Sequence, residues 1–354
     1  MQFGGGKIGP WGEYEQHISG DICLAARQYY YATQDKAWLK EIGYPLAKGV
    51  ANFYSRRVAP KPGNANSAEG SYDYNGVMGP DEFAYPVNNS AYTNAAAGIA
   101  LAFATEAAAA LGEKADPLWA TVAAGLQLEV DQKVPTRPDL KGGYHPEYKG
   151  FPKDPSKPSV KQADTIMLSY PLGVAIPAQV LANDLSFYDP ITDPNGPAMT
   201  WAIFAVGWIN AGNFSMAAPH FQRGYANVHP PFNVWTESPT GGTVNFITGA
   251  GGFLQSAIFG TSGMRLVSDG LTFLPPPPHA TGSKATMMGV RSFHFRGHRL
   301  SQQVREQTMS YEVLSSAPGA PALTFTLDGG AGRQLAVGHP VKGVKRGKCK
   351  ISVK

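Results

Sequence analysis

Two cysteines are all this chain has, Cys23 near one end and Cys349 near the other. Neither stands in a metal-ligand spacing, so a disulfide framework and a zinc site are both excluded. Charge is also scarce. Charged residues make up 16% of the 354, against roughly 25% in an average globular protein, and the net charge is only +4. The one basic concentration is the tail Lys342, Lys345, Arg346, Lys348, Lys350 and Lys354, read as a solvated end and not as a nucleic-acid surface. The start, Met1-Gln2-Phe3-Gly4-Gly5-Gly6-Lys7, lacks the apolar core of a signal peptide. Nothing there directs secretion, and a cytoplasmic location is the default. The alanine-rich run Ala95 to Gly112 is interrupted by Thr105 and Glu106 and reads as a buried helix, not a membrane span. The glycines around Gly241-Gly242-Thr243 lack the Gly-Lys-Ser/Thr ending of a phosphate loop and any dinucleotide-binding spacing. His294 and His298 fall in strand-rich sequence, where a spacing of four does not align two metal ligands.

Aromatic residues, by contrast, reach 11%, with 16 Tyr and 6 Trp, a profile that suits a neutral, aromatic-lined site. Apolar residues recur at helical spacing in Ile22–Tyr31, Trp38–Arg57, Tyr92–Leu111, Leu118–Val130, Gln162–Leu181, Met199–Ala211 and Gly252–Phe259. Between them lie two long loops, Val58–Asn89 and Pro135–Ser159, whose length and aromatic and acidic content point to function. After Gly263 the pattern becomes short alternating runs: Leu271–Leu274, Gly289–Phe295, Leu300–Val304, Met309–Leu314 and Ala322–Leu327. The prolines Pro275 to Pro278 mark an edge or a connector. The expected organisation is a helical domain over 1–262 and a small β-sandwich with a basic tail over 263–354.

The most informative window is Gly79-Pro80-Asp81-Glu82-Phe83, followed by Val87-Asn88-Asn89 and Ala91-Tyr92-Thr93-Asn94. It sets carboxylates in a Gly-Pro turn among aromatic and amide side chains, directly before an alanine-rich helix. A glycosidase needs such a carboxyl, held on a rigid loop and partly desolvated, to protonate a leaving glycosidic oxygen. A solvated turn has the same residue types, so the window alone leaves both readings open.

Five further segments decide between them: Tyr14-Glu15-Gln16-His17-Ile18, Tyr144-His145-Pro146-Glu147-Tyr148, Val160-Lys161-Gln162-Ala163-Asp164, Val234-Trp235-Thr236-Glu237 and Asn245-Phe246-Ile247-Thr248-Gly249. Taken in order with the Gly-Pro-Asp-Glu window, they resemble glycoside hydrolase family 65, which includes acid trehalases, kojibiose phosphorylases and protein-glucosylgalactosylhydroxylysine glucosidases. The resemblance implies a mainly α fold, an (α/α)6 barrel followed by a C-terminal β-sandwich. It implies that Glu82 is the general acid, that Lys161 and Gln162 bind hydroxyls of the glucose being cleaved, and that Glu15 and His17 form part of the site wall. Asp81 and Trp235 join these as sugar-binding residues.

Glu237 matches the base of the hydrolytic members. An inverting hydrolase needs this second carboxylate, about 6.5 to 9.5 Å from the acid, to activate water. The phosphorylases of the family instead bind phosphate with a Ser-Ser pair. At that place the chain reads Gly196-Pro197-Ala198-Met199-Thr200-Trp201, and proline cannot offer a backbone N–H to an anion. The expectation is inverting hydrolysis of an α-glucosidic bond in a kojibiose-type, glucosyl-galactosyl or trehalose unit, with no metal or organic cofactor. Phosphorolysis and an inactive carbohydrate-binding fragment are the alternatives. The chain shows only about eight helical segments and begins at what the resemblance makes the middle of the barrel. A missing N-terminal part, or association with another copy or chain, would cover the remaining apolar faces.

Overall fold

A computed structural model describes residues 9–61, 71–134, 137–152 and 159–353. The glycine-rich start, the interiors of the two long loops and Lys354 lie outside the described residues. The chain folds as two compact units, the first from Met1–Arg27 and Lys36–Pro194, the second from Gln28–Asp35 and Asn195–Lys354. The helix His17–Thr33 contributes to both.

In the first unit, the helix Ala91–Leu111 is the centre of packing. Ser90 caps its start by accepting from the Thr93 amide, and Gly112 ends it in the left-handed conformation that a residue without Cβ adopts freely. Its buried side chains are mostly alanines, with Tyr92, Leu101 and Phe103 among them. Small residues let neighbours come close. A Cβ on Gly20 would lie 3.0 Å from the Ala96 Cβ and 2.9 Å from the Tyr54 hydroxyl, so glycine is needed where the two helices meet. By length and composition Ala91–Leu111 is apolar enough to cross a bilayer, and half of its apolar window is buried within the fold. Tyr44–Arg57, continued upstream by a π-helical turn Leu39–Gly43, and Pro117–Gly125 pack against it.

Two expected helices differ. Leu118–Val130 stops at Gly125, because the chain there runs against Tyr72 and Ser71: a Cβ on Gly125 would be 2.4 and 2.5 Å from their side chains. Beyond it Leu126 is extended, bridging Tyr72, and the Asn94 side chain holds the Gln127 carbonyl. The segment Gln162–Leu181 is not one helix. It holds a 3-10 turn at Thr165–Leu168, then Pro171, Gly173 at φ +74° and Pro177, and becomes helical only at Ala178–Tyr188.

In the second unit, Met199–Asn210, Phe214–Arg223 and Ile247–Gln255 pack together, with the hairpin Val234–Ser238/Gly241–Val244 beside them. The β-sandwich follows from Met264. One sheet runs Val341–Lys345, Thr308–Ser316, His298–Arg305, Met287–Phe295; the other Arg333–Leu335, Leu323–Leu327, Cys349–Val353, Gly270–Phe273, Met264–Val267. Between them Phe273, Leu300, Tyr311, Phe325 and Ile351 form the core.

The basic tail is therefore not a solvated end. It supplies two strands, with Val341, Cys349 and Ile351 buried between lysines that face outward. Lys350 pairs with Asp269, and Arg346 donates to the carbonyls of Glu306 and Pro275. The alternation of lysine with apolar residues is a strand period that the charge count obscured. His298 is buried, with its ring nitrogens 2.8 Å from Ser316 Oγ and 2.7 Å from the Pro321 carbonyl. Burial pushes the Cys23 thiol up to about 12 and the Cys349 thiol up to about 11, which keeps both protonated and inert.

Candidate active site

The Gly79–Phe83 turn sits in a loop closed at its neck by paired amides and carbonyls of Val77 and Val87, at 2.9 and 2.8 Å. Met78 donates to the Tyr14 carbonyl, tying the loop to the segment that carries Glu15 and His17. Gly79 has no room for a side chain, since a Cβ would stand 2.3 Å from Asp164 Oδ2.

Four hydrogen bonds weld this turn to residues 161–164. Asp81 N donates to Asp164 Oδ2 (2.9 Å), Lys161 N to Asp81 Oδ1 (2.7 Å), Lys161 Nζ to Glu82 Oε2 (2.8 Å) and Gln162 Nε2 to the Pro80 carbonyl (2.6 Å). The Glu82 carboxylate is part-exposed, and the same Oε2 also accepts from Trp11 Nε1 at 2.6 Å. Two donors on one oxygen fix the direction of the carboxylate and leave Oε1 as its other face.

Glu82, Lys161 and Gln162 thus come together, and Glu15 faces the same charges. Burial raises the Glu15 pKa, the His17 and Lys161 charges lower it, and Glu82 raises it again. His17 is buried, with Nδ1 2.8 Å from Asp21 Oδ2, while the Tyr92 hydroxyl donates to Asp21 Oδ1 at 2.7 Å. Asp81 is 1% exposed, and its Oδ1 receives the Lys161 and Phe83 amides. Its carboxylate is aimed into the protein, behind the turn.

Trp235 and Glu237 lie in the second unit, on the strand Val234–Ser238. The Trp235 indole donates to the Gly224 carbonyl at 3.0 Å and packs on Phe253. Glu237 Oε2 accepts the Thr243 amide at 3.1 Å across the hairpin, and its backbone carbonyl accepts from Ala198 N and the Asn227 side chain. Gly242 is the residue opposite: a Cβ there would lie 3.0 Å from the Glu237 side chain.

Residues 7–137 match the profile of the glycosyl hydrolase family 65 central catalytic domain. The protein-glucosylgalactosylhydroxylysine glucosidase of Danio rerio is 38% identical over 305 residues, covering 86% of this chain and 44% of that protein. The chain belongs to glycoside hydrolase family 65. Among other members, the kojibiose hydrolase of Mucilaginibacter mallensis is 37% identical over 79% of this chain and 39% of its own length. The periplasmic acid trehalase of Saccharomyces cerevisiae is 31% identical over 73% and 21%. A solved structure from the human microbiome, assigned as a kojibiose phosphorylase, superposes with a TM-score of 0.68 at 16% identity, over 93% of this chain and 49% of that one. That likeness establishes the fold of this family 65 chain, helices of the six-hairpin barrel followed by a β-domain. The chain spans less than half the length of the curated relatives it matches.

Several residues around the Glu82 turn were not singled out from the sequence. Trp11 precedes the Tyr14–Ile18 segment and nothing in its spacing marks it. Glu147 and Asp164 stand inside quoted segments without a role, yet each is 2% exposed and lies near Asp81. An acidic residue amid Tyr144, His145 and Tyr148 was the available signal, because a carboxylate in aromatic surroundings is costly unless it is partnered or neutral. Among the described residues, no group of three or more His, Cys, Asp or Glu is placed to hold a metal ion.

Proposed function

We propose that the protein hydrolyses an α-glucosidic bond in a disaccharide or disaccharide unit with inversion, with Glu82 as general acid and Glu237 as general base. The observation that carries this reading is the Glu82 carboxylate: part-exposed, on a turn held by four hydrogen bonds, with Lys161 and Trp11 fixing one oxygen. A general acid must be held in this way to meet a glycosidic oxygen. Lys161, Gln162, Glu15 and His17 would contact the glucose, with Trp235 on the side of Glu237. Asp81, aimed away from the turn, would support Glu82 from behind. The helical part, 1–262, would carry the chemistry. The names of the relatives, a glucosylgalactosylhydroxylysine glucosidase, a kojibiose hydrolase and a trehalase, support a small α-glucoside as substrate.

Hydrolysis is favoured over phosphorolysis by the segment before Met199. No serine pair is present there, and the Ala198 amide is donated to the Glu237 carbonyl and so is withdrawn from any anion. The experiment is to incubate the 354-residue protein with kojibiose, trehalose and a glucosyl-galactose, and to follow the anomer by NMR. With the glucosyl-galactose, whose only released glucose is the cleaved residue, β-glucose should form first and without phosphate. Glu82→Gln and Glu237→Gln should each lower the rate by about 10²-fold or more. An unchanged rate in either variant, or α-glucose as first product from the glucosyl-galactose, would overturn the assignment.

A further inference from the structure

Behind Glu82 lies a group of three buried carboxyls, Asp81, Glu147 and Asp164, that no step of the proposed hydrolysis uses. Asp81 Oδ2 and Glu147 Oε2 are both sealed from solvent, and neither receives an N–H or O–H from any described group. The two side chains nevertheless face each other at hydrogen-bonding distance. Two carboxylates cannot bond to one another, but a carboxyl and a carboxylate can, and one proton then satisfies both orphaned oxygens. We propose that Glu147 keeps its proton in the folded protein and donates it to Asp81, and that this bond makes both of them positioning residues for Glu82.

The mechanical link is short. With Oδ2 held by Glu147, Asp81 presents Oδ1 to the backbone amides of Lys161 and Phe83, the residue after Glu82. Lys161 in turn places its Nζ on Glu82. Glu147 is itself anchored, because its carbonyl accepts the Ala91 amide at the start of the Ala91–Leu111 helix. Losing the proton would set two anions against each other in a dry site, and the turn that carries Glu82 would give way.

The surroundings agree with that assignment. Burial, then the charges of Asp164 and Asp81, push the Glu147 carboxyl well above the usual range. The hydrogen bond from Glu147 acts on Asp81 in the opposite direction, favouring its charged form, although burial leaves Asp81 raised as well. Asp164, chiefly through burial, is raised to about 7, with the Asp81 amide and the His17 charge opposing the shift. Tyr148 and Tyr188 also face Glu147, and both are pushed up chiefly by burial. Glu82 adds a like charge beside Asp81.

The bond itself does not depend on the hydrolase reading; only the role of Glu82 does. The test compares the wild-type chain with Glu147→Gln, whose amide keeps a donor but cannot ionise, and Glu147→Ala, which has none. Thermal midpoints are measured between pH 5 and 9, and amide hydrogen exchange at Lys161 and Phe83 by NMR. A carboxyl that stays protonated in the fold after the unfolded chain has released its proton makes stability fall as pH rises. The wild-type midpoint should therefore decline across this range, and Glu147→Gln should flatten the decline while keeping slow exchange at both amides. Glu147→Ala should speed exchange at Lys161 and Phe83 by tenfold or more. A decline as steep in Glu147→Gln as in the wild type would overturn the proposal even where the alanine variant fails to fold, and so would unchanged exchange in a folded Glu147→Ala. Absence of α-glucoside hydrolysis alongside the expected profile would reject the reading of Glu82 and leave the shared proton standing.

Discussion

Glu82 receives Trp11 Nε1 and Lys161 Nζ on the same oxygen, and the two donors differ in kind. Lys161 carries charge and is itself held by its backbone bond to Asp81. Trp11 is half exposed, on a four-residue helical turn, and contributes a single directed N–H. Phenylalanine in place of Trp11 removes that N–H and leaves the ring. Trp11→Phe is expected to lower α-glucoside hydrolysis about three- to tenfold, a discounted share of what a hydrogen bond to a charged group supplies when it is buried. In a Glu82→Gln background the same change should have almost no further effect, since the carboxylate that Trp11 directs is gone. Rates for the four proteins of the cycle decide it; a full Trp11 effect in the Glu82→Gln background would place Trp11 on the sugar and not on Glu82. Residues that act through a third party are the ones a sequence hides. Glu82 announces itself by its turn, and Lys161-Gln162 by register with it, whereas the carboxylate that the Trp11 indole meets is 71 positions away in the chain.

Elements with one dominant local signal were legible, and those shaped by tertiary contact were not. The helix Ala91–Leu111 has a serine cap, an alanine-rich run and a glycine stop, all readable in order. The Gln162–Leu181 segment has apolar residues at helical intervals as well. There the start of the segment is tied to the Glu82 turn, through Lys161 N and the side chains of Gln162 and Asp164, and Pro171 and Pro177 prevent a helix from resuming until Ala178. Ser90 tests the first case. It is buried, accepts from both the Thr93 amide and hydroxyl at 3.2 Å, and starts the helix around which the first unit packs. Ser90→Ala should cost about 0.5–2 kcal/mol, the usual range for a lost N-cap, and here the upper half, because the abandoned Thr93 amide has no water to turn to. Urea unfolding with an unchanged m-value would read that loss. A cost near zero would mean that packing alone sets the helix start.

At the scale of the whole molecule, the order of helices first and strands last was visible in the change from helical to alternating periodicity, and the last strands were the part misread. Their lysines dominate the composition of the tail, yet every second position from Cys349 points into the core: Cys349 and Ile351 are buried, and Val353 packs partly against the same cluster. Cys349–Val353 is also the middle strand of its sheet, bonded to Leu323–Leu327 on one side and Gly270–Phe273 on the other. Deleting residues 347–354 therefore parts the five-stranded sheet into two pairs and leaves Phe273, Tyr311 and Phe325 against an open slot. Two-stranded remnants are marginal in water, and removing a fully buried isoleucine alone costs about 2–5 kcal/mol when it is cut to alanine. The truncated chain is expected to lose the cooperative unfolding of the β-sandwich, to bind an apolar dye and to become prone to aggregation, whereas a solvated tail would leave all three unchanged. Ile351→Ala provides the graded version, lowering the midpoint of the second unit without removing backbone. Calorimetry of the intact, truncated and Ile351→Ala chains separates the two outcomes; a truncated protein that melts like the intact one would return the tail to solvent.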